Sequence, residues 1–150
     1  MKKCAVLAVL MAFVLMPPPR LSSQAASGLE LVEKLYSAFA ALSENRAGTD
    51  ETINSLESLM TAAVSARDAK AIDPSFFRRY HRLLMVVRLS LVTDMSGILK
   101  PLVDREFGGF IKDVTGEAYD AEGSATRQIA QFLKAVDAEI MNLYGIVRKK

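Results

Sequence analysis

Histidine is the side chain most readily recruited for proton transfer or metal ligation near neutral pH, and this 150-residue chain has one, His81. A lone histidine excludes the bundle di-iron site, which takes one from each of two Glu-x-x-His motifs. Three-histidine zinc and the HExxH helix fail on the same count. Met85 lies one turn beyond His81, but two ligands on one side of one helix cannot reach opposite faces of a haem. The second ligand would have to be Met60, Met95 or Met141 from another helix.

Five basic side chains crowd one stretch: Arg78, Arg79, His81, Arg82 and Arg88. At helical spacing Arg78, His81, Arg82 and Arg88 share one half of the surface, with Met85 and Leu89 between them. Guanidinium forks suit phosphates and carboxylates, so these four are the candidates for holding an anion, a lipid headgroup or an acidic partner segment. Three basic residues near the helix N-terminus oppose the helix dipole, which predicts carboxylate partners on neighbouring helices. Arg88 stands in an apolar run and would need such a partner most if buried.

Acids gather at Asp113, Glu117, Asp120 and Glu122, but their spacing does not match a calcium loop, and a solvated loop is expected. No pair of carboxylates stands out for acid–base work. The glycines form no phosphate-cradling turn after a strand. The expectation is a non-enzymatic protein with no catalytic residue, no cofactor and no metal site.

The chain begins with Lys2 and Lys3, an apolar run from Ala5 to Met16, three prolines, and a small polar stretch from Ser22 to Ser27. That order is the pattern of a secretory signal peptide, and the run is too short to cross a bilayer. Small residues at Ser23 and Ala25 predict cleavage after Ala25, with Ser27 as the next choice. Residues 1–25 are thus expected to be removed, leaving 26–150 as one domain, exported to the periplasm or beyond the cell. Lys2, Lys3 and Arg20 leave with the leader and no acid does. Of 19 basic and 17 acidic side chains, 16 and 17 remain. A nearly neutral chain gives no general attraction to nucleic acid. Cys4 leaves as well, so no disulfide or thiolate chemistry remains.

Helices must position whatever is left, because apolar residues recur at helical spacing and no stretch alternates as a strand would. The first is expected over 28–45, opened by the capping pair Ser27 and Glu30, with Leu31, Leu35, Ala38 and Leu42 inward. The second spans 50–71 with Ile53, Leu56, Met60, Ala63 and Val64 buried. Asp73-Pro74 starts a third over 74–95, apolar all round from Leu83 to Val92, hence central. A fourth over 97–114 is expected to be kinked, with Gly108-Gly109 weakening it. The last spans 124–148, with Ile129, Leu133, Val136, Ile140, Leu143 and Val147 as a heptad-like seam.

The expected fold is all-α, an up-and-down helical bundle of four to five helices. The function expected of it is protein interaction or scaffolding in the cell envelope, through an unidentified protein partner or self-association. An apolar patch around Phe107 and Phe110, or along the last helix, would serve it. The alternative is a carrier of a lipid or other apolar ligand between the helices, its headgroup held by Arg78 and Arg82.

Overall fold

A computed structural model describes residues 25–92 and 100–149. The apolar segment with Cys4, expected to be a removable leader, the expected kink at Ser96-Gly97, and residues 93–95 of the third predicted helix lie outside the described residues.

Among the described residues five helices follow in order: α1 Gly28–Ser43, α2 Thr49–Asp68, α3 Pro74–Val92, α4 Lys100–Thr115 and α5 Ala125–Arg148. Among the described residues there is no strand. Three of the starts have a local cap. Ser27 Oγ accepts from the Glu30 N–H at 3.2 Å, while the Glu30 carboxylate turns to Lys34 Nζ at 2.6 Å, which holds that carboxyl below the usual range. Asp73 Oδ1 accepts from the Ser75 N–H at 2.8 Å, with Pro74 at the first helical position. Ser124 Oγ accepts from the Arg127 N–H at 3.3 Å. The stops are local too. Asn45 and Lys70 take positive φ, so α1 and α2 end before the expected residues 45 and 71.

Four helices close a ring: α1 against α2, α2 against α3, α3 against α5, and α5 back against α1. Their ends show the directions. Ser27–Leu29, Ala71–Asp73, Phe76 and Ile146–Val147 meet at one end of the bundle. The starts of α1 and α3 therefore lie beside the finishes of α2 and α5, and the ring alternates up and down. A side chain on Gly28 would meet Val147 Cγ1 at 2.7 Å, so the bare glycine lets α1 and α5 close on each other there.

The fourth helix sits outside the ring against α3 and α5. It continues unbroken through Gly108 and Gly109 and stops at Gly116, whose φ of +75° favours a residue without a Cβ. Residues 116–124 then double back along α4. Tyr119 lies over Gly108, its hydroxyl reaches Asp104 Oδ1 at 3.4 Å, and Lys100 Nζ donates to the Ala121 carbonyl at 3.3 Å. The last helix consequently starts beside the start of α4, and the two run in the same sense despite a short connection. Gln128 Nε2 donates to the carbonyls of Asp120, Ala121 and Gly123, and Gln131 pairs with Asp120 N–H and Ala118 C=O. These two amides replace the ladder that the irregular return segment lacks.

The core is continuous through all five helices. Tyr80 is fully buried and donates to the Leu31 carbonyl at 2.8 Å, and burial raises its phenol pKa. Phe107 stacks on Phe132 at 4.7 Å, with Phe110 tilted against the same ring at 6.4 Å.

Two buried stripes differ from the expected ones. On α2 the inward set is Thr52, Leu56, Leu59, Ala63 and Ala66, one position round from the expected face, with Ile53, Met60 and Val64 only half-buried. On α5 the inward set is Phe132, Ala135, Val136, Glu139, Ile140 and Leu143, while Ile129 and Leu133 face solvent. The aromatic cluster of α4 captures Phe132, and burying that face turns the first half of the expected seam outward. The third helix is not apolar-buried all round either, since Met85 and Val92 are exposed.

Candidate functional site

The basic stretch lies on the first four turns of α3, and its members leave that helix toward three different neighbours. Arg79 crosses to α5, where its Nε and Nη2 donate to Glu139 Oε1 at 2.8 Å and Oε2 at 2.6 Å. Arg82 reaches α4, bonding Asp113 Oδ2 at 2.7 Å and lying 5.7 Å over the Phe110 ring. Arg88 reaches α2, with both Nε and Nη2 on Glu57 Oε1. His81 packs its ring on Phe77 at 5.6 Å, and Arg67 covers that same phenyl ring at 4.7 Å. Arg78 is exposed and makes no ion pair among the described residues.

Of the four candidate anion ligands, then, Arg82 and Arg88 already hold carboxylates and face different helices. The geometry does not draw Arg78, His81, Arg82 and Arg88 onto one point. A shallow cleft of about 410 Å³ does bring Arg78, Arg79 and Arg82 together with Phe110, Val114, Asp113 and Glu139. Two carboxylates among three guanidiniums leave it close to balanced, which weakens its pull on an external anion.

The bidentate Arg79–Glu139 pair is the strongest electrostatic feature. The Glu139 side chain is 4% exposed and also accepts from Asn142 Nδ2 at 3.2 Å. The hydrogen bonds from Arg79 to this carboxylate raise the guanidinium's pKa. Arg88 would need a carboxylate most if it were buried. It stays half-exposed at the surface, and Arg79 is the one that finds a buried carboxylate. A signal existed in the sequence: Glu139 is flanked by Val136, Ile140 and Leu143 at core spacing, a position where a charge requires a partner.

The acids near the return segment are likewise matched by cations: Asp113 by Arg82, Glu117 by Lys134 and Asp120 by Arg127. Glu122 is exposed. Burial, helped by the neighbouring Asp104 charge, pushes the Tyr119 phenol up to about 12. Among the described residues no three His, Cys, Asp or Glu side chains are placed to hold a metal ion, and no helix is long and apolar enough to cross a membrane.

An apolar surface remains, at the end of the bundle where α3 finishes and α5 begins. Ile129 is 58% and Leu133 39% exposed on successive turns of α5. Beside them opens a pocket of about 220 Å³ lined by Ser90, Phe107, Tyr119, Ala125, Gln128, Ile129 and Phe132. Its polar groups are engaged elsewhere: Ser90 Oγ donates to the Val87 carbonyl and Gln128 to the return segment. What it offers a visitor is therefore hydrocarbon and aromatic ring. The patch lies on the last helix as expected, while Phe107 and Phe110, the other predicted location, are buried.

Comparison of the chain with protein families, with curated proteins and with solved structures finds no match.

Proposed function

We propose that this chain is exported, loses its first 25 residues, and acts without catalysis as a protein-binding or scaffolding module of the cell envelope. One observation carries the reading: Ile129 and Leu133 stand in water beside an aromatic-floored pocket, although Phe132 between them is buried. Single exposed aliphatics are ordinary, but neighbouring ones around an apolar recess are the composition of an interaction surface. The pocket's size points to a protein partner. Sites for whole small molecules run to about 300–1,000 Å³, and about 220 Å³ suits one or two anchoring side chains. The alternative, carriage of a lipid between the helices, asks for a larger chamber than this recess provides.

The test is native mass spectrometry of the protein purified from its own host, which reads mature mass, oligomer and retained ligand together. The expected species begins at Ala26 and carries a protein partner or a second copy. Ile129→Asp with Leu133→Asp should abolish that association with the helical content unchanged. Met141→Asp, at an exposed position elsewhere on α5, should leave it intact. A strictly monomeric wild type, or association indifferent to the Ile129 and Leu133 changes, overturns the reading. A retained lipid in place of protein would favour the carrier.

A further inference from the structure

We draw no further inference here: the strongest candidate, the open groove along the outer faces of α1 and α2 with Ser37, Ala38, Ser55 and Ser58 on its floor and Glu33 and Glu51 at its rim, is a run of small residues edged by carboxylates, and nothing in the structure shows what covers it.

Discussion

Replacing Arg79 by methionine keeps most of the side chain's length and removes its charge, leaving the Glu139 carboxylate 4% exposed and held only by Asn142. Breaking a buried ion pair from one side costs about 3–5 kcal/mol. Arg79 is 42% exposed, so water already screens one edge of the pair, and the discounted cost is about 2–3 kcal/mol. That is a large part of the roughly 5–15 kcal/mol by which such a domain is stable. Glu139→Met should cost less, about 1 kcal/mol, because Arg79 can then swing into solvent. The double variant removes the buried charge together with its partner and should also sit about 1 kcal/mol below wild type. The double-mutant cycle then yields a coupling of about 2–3 kcal/mol. Urea unfolding followed by helical circular dichroism at pH 7 measures all four proteins, read as a change in midpoint at constant slope. Arg82→Met is the internal control: that pair is 46% and 59% exposed, and its loss should stay within about 0.5 kcal/mol. The reasoning fails if Arg79→Met is as mild as the control, or if the double variant loses the sum of the two singles.

Four further outcomes follow from the surroundings of particular residues. Gly145→Ala, in the last turn of α5 where a methyl meets nothing within 4 Å, should raise stability by up to about 1 kcal/mol. Gly28→Ala, whose methyl would meet Val147 Cγ1 at 2.7 Å, should lower it in the same urea assay. Phe132→Ala empties the ring that joins α4 to α5 and should cost about 3–5 kcal/mol. Its amide hydrogen exchange should rise across α4 before it rises in α1 and α2. The Tyr119 phenol keeps its proton in the folded chain up to about 12, against an unfolded value near 10. Its contribution is therefore complete below pH 10 and is lost as pH rises from 10 through 12. Thermal midpoints should fall over that window and fall less steeply in Tyr119→Phe, and equal slopes in the two proteins would refute the assignment.

The helices were legible from residues alone, because capping and helical periodicity are local. Ser27, the Asp73-Pro74 pair and Ser124 each announce a start within three residues of the groups they satisfy. Which face each helix turns inward was less legible. The pattern on α5 permits both the Ile129–Leu133 seam and the Phe132–Ala135 face, and the sequence does not say that α4 will lie alongside with two phenylalanines. An exposed apolar patch along the last helix is one of the sequence expectations, but Ile129 and Leu133 are expected inside the seam and stand outside it because Phe132 takes the inward position.

Long-range pairing is what tertiary structure alone decided. The basic residues near the start of α3 could be expected to want carboxylates, since positive charge there opposes the dipole, and Arg88 would want one if buried. That Arg79 would take Glu139, 60 residues away, while Arg88 took Glu57 at the surface, depends on how the ring closes. The return of residues 116–124 along α4 is of the same kind. A connection that short favours an antiparallel pair, and Gln128, Gln131, Lys100 and Tyr119 reverse that preference through contacts made only after α4 and α5 are side by side. Local free energies select the elements, whereas the choice among their packings is a difference between many contacts that no single stretch of chain contains.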